Sequence, residues 1–358
     1  MERLVGSRFV GAAESAQNNA GAERALTMDA NDEDPLLKEL EESLPAGEEP
    51  PPITSSATNT SSSSRHKPPK WILGDLIGRG AFSSVYAAKD AKTGEPVAIK
   101  LLKGAAEDSG GIGSSETEKK ERFKRLQSEV EVLRTLSHPH IVRYLGTQKH
   151  SRELYIVMEY ITGGSVAQRI AARGKLDEPI ALRYTGQVMR GLVYLHATGI
   201  IHRDLKCANL LIDDNGGDGD GSVKVADFGS ARLLQRAHDA ATLEESVSST
   251  LHGSTYWMAP EVVRGERYGR RADVWSVGCC LLEMLTGKPP WHGTLDGMNQ
   301  FQVMFHIASS TEVPPMDAEL VRPEVRSLLL KCFERDAKER MTSAELIADE
   351  RRNLQQTG

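Results

Sequence analysis

Cysteine is scarce in this chain. Only Cys207, Cys279, Cys280 and Cys332 occur in 358 residues, and no two stand at C-x-x-C spacing. A disulfide framework and a cysteine zinc site are therefore not expected, and the thiols read as reduced and intracellular. No apolar run is long enough to span a bilayer, so no membrane span is expected. The first residues show no basic-then-apolar leader pattern, which points to the cytoplasm, with the nucleus also open. A basic excess is missing too: 44 Lys and Arg face 50 Asp and Glu, a net charge of −6, so nucleic acid is not an expected partner. At 39% hydrophobic and 26% charged, the composition is globular, with length for one large or two small domains.

Residues 1–70 are short of aromatics. They hold an acidic block over 32–49, the run Ser61-Ser62-Ser63-Ser64 and then Pro68-Pro69. Such a tail cannot bury enough apolar surface to offset its chain entropy, and disorder is predicted. Within it Leu36, Leu37, Leu40 and Leu44 recur at helical spacing, a pattern a partner could bind. An isolated helix of that length is marginal, so a plain solvated helix is the favoured reading.

The chain is organised around His202-Arg203-Asp204-Leu205-Lys206-Cys207-Ala208-Asn209. Asp204 is a carboxylate able to accept a proton, Lys206 a cation two places on, and Asn209 an amide able to hold a magnesium ion. Phosphoryl transfer to a hydroxyl needs this set. Upstream, Ile77, Gly78, Arg79, Gly80, Ala81, Phe82, Ser83, Ser84 and Val85 span a strand, a glycine turn and a second strand. Glycines there let backbone approach phosphates that a Cβ would obstruct. Next, Pro96-Val97-Ala98-Ile99-Lys100 reads as a strand whose lysine meets the α/β-phosphates. Residues 103–120 are Gly/Ser-rich and read as an insertion. From 118 to 136 Phe123, Leu126, Val130 and Leu133 mark a helix, on which Glu129 is chosen over Glu131 as the partner of Lys100.

Leu154 to Ile161 reads as a buried strand ending in a polar hinge, and Gly163-Gly164-Ser165 follows where a smaller domain gives way to a larger one. Met158 adjoins it, and backbone groups of Glu159 and Ile161 are candidates to hold an adenine edge. Residues 178–198 show an amphipathic helix through Leu182, Val188, Leu192 and Leu195. The acidic stretch 213–221 fails as a calcium loop, because Gly217 stands where an acid or amide is needed and Lys224 where the last glutamate belongs. Asp227, in Asp227-Phe228-Gly229, is the second magnesium candidate. Between it and Ala259-Pro260-Glu261 lie many hydroxyls, with Ser249 and Thr250 the best phosphosite candidates and Arg203 a cation to receive the phosphate. Residues 273–285 form a nearly all-apolar helix expected at the centre of a large domain, and Arg340 is expected to be a buried cation paired with Glu261.

These motifs, in order over residues 71–349, resemble the eukaryotic protein kinases. The resemblance implies an α+β, bilobal fold: a small antiparallel β-sheet lobe with one helix (71–158), a hinge (159–164) and a larger, mainly helical lobe (165–349). A disordered tail (1–70) precedes it and a C-terminal tail (350–358), fraying after about Ala348, follows. It also implies ATP and Mg2+ as cofactors and a protein substrate. By the same likeness Val85, Ala98 and Leu211 sandwich the adenine, Lys100, Glu129, Asp204 and Lys206 act in catalysis, and Asn209 and Asp227 hold the metal. Leu133, Tyr144, His202 and Phe228 would stack as an internal column. Lys206 resembles the serine/threonine class. Gly163-Gly164-Ser165-Val166, Trp257-Met258-Ala259-Pro260-Glu261 and Asp273-Val274-Trp275-Ser276-Val277-Gly278-Cys279 resemble the MAP kinase kinase kinases, whose substrates are MAP kinase kinases. The upstream activator is not readable from the residues. A Ste20-type kinase is the runner-up. A pseudokinase scaffold is disfavoured because Lys100, Asp204, Asn209 and Asp227 are all present. The chain departs from the family at Ser83 (third glycine), His140 (usually asparagine), Ser254-Thr255 (Thr-Pro in relatives) and in lacking an aromatic in its last helix.

Overall fold

The computed structural model describes residues 71–79, 83–102, 130, 132–150, 153–214, 221–233 and 255–356. Five antiparallel strands, β1 Trp71–Arg79, β2 Ser83–Asp90, β3 Pro96–Leu102, β4 Tyr144–His150 and β5 Glu153–Glu159, form one sheet in the order β1-β2-β3-β5-β4. Side chains alternate across a strand, so each strand serves two faces. Val97 and Ile99 of β3 join Ala88, Tyr155 and Val157 in a small core on one face. Ala98 and Lys100, one step out of phase, are turned to the other. Of the helix expected over 118–136, Val130 and residues 132–136 are described; Val130 and 132–134 are helical, with Val130, Val132 and Leu133 buried, and the helix gives way to a turn at Thr135. Phe123, Leu126 and Glu129 lie outside the described residues.

The second lobe is helical: α1 Val166–Arg173, α2 Glu178–Ala197, α3 Pro260–Val263, α4 Arg271–Thr286, α5 Gln300–Ser309, α6 Pro323–Cys332 and α7 Ser343–Gln356. Two short pairs, β6 Ile200–Ile201 with β9 Arg232–Leu233 and β7 Leu210–Asp213 with β8 Ser222–Val225, lie between α2 and α3. The fold is thus bilobal and α+β, a small antiparallel sheet lobe joined to a helical lobe.

Helix α4 is the axle of the large lobe. Every residue from Ala272 to Leu285 is buried, as a helix apolar on all sides requires. It ends at Gly287, whose φ of 73° closes the last turn with an N–H bond to Glu283 O. Helix α2 opens with Glu178-Pro179 at its first turn. Its buried stripe is Ala181, Tyr184, Val188, Met189, Leu192 and Leu195, while the expected Leu182 sits at the margin, half-buried.

One expectation fails at the C-terminal end. The chain does not fray after Ala348, because α7 continues to Gln356. Thr342 and Glu345 cap its start reciprocally, with Thr342 N donating to Glu345 Oε2 at 2.7 Å and Glu345 N to Thr342 Oγ1 at 3.3 Å. Ala, Glu, Leu, Arg and Gln then carry the helix by propensity, and Lys331 holds Asp349 at 2.6 Å.

Candidate active site

The loop that carries Asp204, Lys206 and Asn209 is held from below by α4. Asp273, almost fully buried, accepts from Arg203 N (2.8 Å), His202 N (3.0 Å) and His196 Nε2 (2.8 Å). Burial opposes its charge, but the hydrogen bond and charge of His196 outweigh that, and its pKa lies below the usual carboxylate value. The bond to Arg203 N secures a backbone conformation that a side-chain-bearing residue rarely adopts, with φ of 73°. Sequence reasoning missed this role of Asp273. The signal was present: an acid in the first turn of a nearly all-apolar helix.

Beyond Arg203 the chain turns over the 3-10 segment Cys207–Asn209. Lys206 Nζ reaches Asp204 Oδ2 at 2.9 Å and Oδ1 at 3.2 Å. Asn209 Nδ2 donates to Asp204 O at 2.8 Å and to Oδ2 at 3.1 Å. The carboxylate is thereby fixed by two donors from its own loop. With Nδ2 turned to Asp204, the Oδ1 end of Asn209 is presented as an acceptor. Beneath the loop, Cys207 Sγ meets Cys280 O at 3.6 Å and Trp257 Nε1 donates to Glu283 Oε2 at 2.9 Å. Burial pushes the Glu283 carboxyl up, against the pull of hydrogen bonds from Cys207 and Trp257.

The two lobes meet at Lys100 and Asp227. Lys100 Nζ lies 3.1 Å from Asp227 Oδ1, bringing a strand of the sheet to the segment after β8. The Lys100 ammonium holds Asp227 down at a pKa of about 2. Asp227 is left-handed, with φ of 62°, and its carboxylate accepts from Gly229 N. This stretch is tied to the Asp204 loop: Ala226 N donates to Asn209 O at 2.9 Å, His202 Nε2 lies 3.1 Å from Ala226 O, and the His202 and Phe228 rings meet edge-on at 5.0 Å. Leu133 and Phe228 share one core, with Tyr144 packed against it.

The carboxylate of Asp227 and the amide oxygen of Asn209 are hard oxygen donors, the kind magnesium takes. The ion commonly binds through one or two protein groups and keeps waters and substrate phosphates for the rest. Among the described residues no group of three or more His, Cys, Asp or Glu side chains is placed to hold a metal ion.

Among the residues expected at a nucleotide, Ile77, Gly78 and Arg79 end β1, and Ser83, Ser84 and Val85 open β2. Val85 is in register with Lys100, and Ala98 with Met158, so these positions lie on adjacent strands. Leu211 is on β7, bridged to Ser165. Gly80, Ala81, Phe82 and Glu129 lie outside the described residues, as do Ser249 and Thr250. The hinge is stitched to β7 by Gly163 N to Ile212 O (2.9 Å) and Ile212 N to Gly164 O (2.8 Å). A Cβ on Gly163 would fall 2.5 Å from Ile212 O, which is why glycine stands there. Ile161 sits in this hinge beside Glu159. The side chain of Glu159 does more than its backbone was expected to do. It accepts from Arg143 N at 2.7 Å and pairs with Lys224 Nζ at 2.8 Å. His140 places Nδ1 3.1 Å from Val223 O.

The pairing expected of Arg340 is present. Its guanidinium faces the Glu261 carboxylate through two bonds of 2.6 and 3.0 Å, wholly out of solvent. All four cysteines are free and buried. No helix among the described residues is long and apolar enough to cross a membrane.

A five-stranded lobe over a helical lobe, with an acid, a lysine and an asparagine on one loop between them, is the architecture of the protein kinases. The protein kinase domain family matches residues 71–350, and the chain belongs to it. It is 38% identical over 278 residues to mitogen-activated protein kinase kinase kinase 3 of Arabidopsis thaliana, covering 78% of this chain and 40% of that protein. It is 38% identical over 279 residues to mitogen-activated protein kinase kinase kinase 1 of Homo sapiens, covering 78% of this chain and 17% of that protein. Mitogen-activated protein kinase kinase kinase A of Dictyostelium discoideum is 38% identical over 278 residues, covering 78% of this chain and 27% of that protein. The matches thus span well under half the length of these relatives, whose group is the one the motifs resemble.

Proposed function

We propose that the chain is an ATP-dependent serine/threonine protein kinase of the MAP kinase kinase kinase type, acting in the cytoplasm on MAP kinase kinases. The observation that carries this reading is the joint placement of two sets. Asp204, Lys206 and Asn209 are bonded together on one loop, and Lys100 is bonded to Asp227 across the lobes at 3.1 Å.

Asp204, held by Lys206 and Asn209, accepts the proton of a serine or threonine hydroxyl brought to its carboxylate. Lys206, already at that carboxylate, offsets negative charge arriving beside it. Lys100 holds the nucleotide's phosphates from the sheet side while keeping Asp227 ionised. Asn209 and Asp227 are the residues that would hold magnesium. That ion supplies positive charge against the phosphate oxygens when bound. Glu159 and Ile161 offer backbone groups to the adenine, and Val85, Ala98, Met158 and Leu211 its apolar surroundings. Positioning and electrostatics, not covalent chemistry, are asked of the protein.

The test is radiolabelled ATP with a catalytically inactive MAP kinase kinase and, separately, a generic basic protein. Wild type labels the MAP kinase kinase. Asp204→Asn labels it about 10²-fold more slowly or worse, the scale of one general base. Undiminished turnover by Asp204→Asn would overturn the residue assignment. Label on the generic protein alone would keep the kinase and discard the cascade tier.

A further inference from the structure

Helix α5 is held to the large lobe by one face. Val303 and Ile307 are buried in the main core, and Gln300 Nε2 donates to Thr255 Oγ1 at 3.1 Å. The other face is bare. Phe301 is 75% exposed and Phe305 74%, four residues apart and so on the same side of the helix. Met298, just ahead of the helix, is exposed as well. Elsewhere among the described residues no large apolar side chain is more than half exposed. Single apolar residues on a surface are ordinary, whereas two aromatic rings one turn apart mark a contact face.

The size of the face indicates what covers it. A phenylalanine buries about 150–250 Å² at most, so the two rings offer roughly 300–400 Å². A stable dimer needs about 800 Å² from each partner. A face this small suits an occupant on the same chain, because a tether raises local concentration where area is short. The chain carries such an occupant. Leu36, Leu37, Leu40 and Leu44 fall within an arc of about 100° at helical spacing, and the function proposed above uses none of them. A helix of that length is marginal alone and gains stability where its leucines find apolar surface to cover.

Reach and charge agree. Fully extended, residues 45–70, which join this segment to Trp71, span about 85–90 Å. A domain of this length has a radius of gyration of about 19 Å and hence a half-circumference of about 75 Å, so the tether reaches α5 wherever that helix lies on the surface. The segment carries Asp34, Glu39, Glu41 and Glu42 against Lys38, while α5 has no acidic side chain. Arg264, shared with Glu266, donates to Ala308 O at 3.3 Å and sets a cation at the end of α5.

We propose that residues 34–44 dock as a helix on the Phe301–Phe305 face of α5 in their own chain. The leucines cover the two rings and the acids stay in solvent. Docking of this kind is independent of the kinase reading.

Hydrogen–deuterium exchange of the full chain tests it. Amides of residues 36–44 exchange about three- to tenfold more slowly in wild type than in Phe301→Ser with Phe305→Ser, as expected when the local concentration exceeds the dissociation constant severalfold. That protection stays constant over about a tenfold range of chain concentration. Leu37→Ser with Leu40→Ser, which alters no residue of the domain core, abolishes it too. Should the phenylalanine double variant fail to fold by circular dichroism, Phe305→Ser alone decides, with protection falling at least about twofold. Protection unchanged by the phenylalanine substitutions overturns the docking, since the helix would then form by itself. Protection that rises with chain concentration, together with a dimer in sedimentation, overturns it in favour of a second copy. Free exchange of 36–44 in wild type overturns it and leaves the face to a separate protein.

Discussion

Replacing Glu261 by alanine will lower the melting midpoint more than loss of its packing contacts alone accounts for. Arg340 and Glu261 are 0% and 1% exposed. The guanidinium spends Nη1 and Nη2 on the carboxylate at 2.6 and 3.0 Å, Nη1 also on Arg271 O at 2.9 Å, and Nε on Glu334 O at 2.7 Å. Its centre lies 5.2 Å over the Trp275 ring. Without Glu261 the cation stays, because arginine does not deprotonate, and two neutral carbonyls and a ring must stabilise it. Two charge-assisted bonds at about 1.5–3 kcal/mol each give a loss of about 3–6 kcal/mol, in line with the 3–5 kcal/mol usual for breaking a buried pair. For a domain of this size that is a fall of roughly 6–20 °C. Differential scanning calorimetry at one scan rate measures it as an apparent midpoint. Glu261→Leu combined with Arg340→Met removes the charge together with its partner and recovers much of the loss. A drop under about 2 °C for Glu261→Ala, or a double variant as unstable as the two singles added, would refute the reasoning.

Gly278→Ala places a Cβ 2.7 Å from Cys332 Cβ and 2.9 Å from Phe333 Cε1. The helix gains about 1 kcal/mol in propensity but meets an overpacking cost of about 1–3 kcal/mol, and contacts this close put the cost at the upper end. Urea unfolding should show a net loss of about 1–2 kcal/mol; a variant as stable as wild type sinks this account. Lys100→Met removes the largest cause of the low Asp227 pKa of about 2. The folded pKa lies below the unfolded carboxylate value of about 3.9, so the linked stability is complete above that pH and is lost as pH falls toward 2. Urea midpoints between pH 5 and pH 3 should therefore fall less steeply for Lys100→Met than for wild type, and identical slopes would contradict the pairing.

Legibility followed chain separation. Asp204, Lys206 and Asn209 were readable because they sit within one loop, and spacing along the chain is spacing in space. The apolar run of α4 was readable because burial on all sides leaves no polar stripe. At the C-terminal end composition misled: polarity suggested fraying, while helix propensity and the Thr342–Glu345 cap carried α7 to Gln356. The marginal position of Leu182 shows the same limit, since periodicity identifies a helix face but not how far its neighbours wrap around it.

By itself the chain of amino acids determined the family, the α+β class and the chemistry each motif can offer, since those reside in residue type and local order. Tertiary structure alone decided which distant groups meet. Lys100 finds Asp227 across 127 positions, Asp273 holds Arg203 N across 70, Lys224 reaches Glu159 across 65, and Gln300 reaches Thr255 across 45. None of these pairs has a periodic signature. Each exists because two elements, folded for their own reasons, are packed against each other by a shared core, and that core is a property of the whole chain.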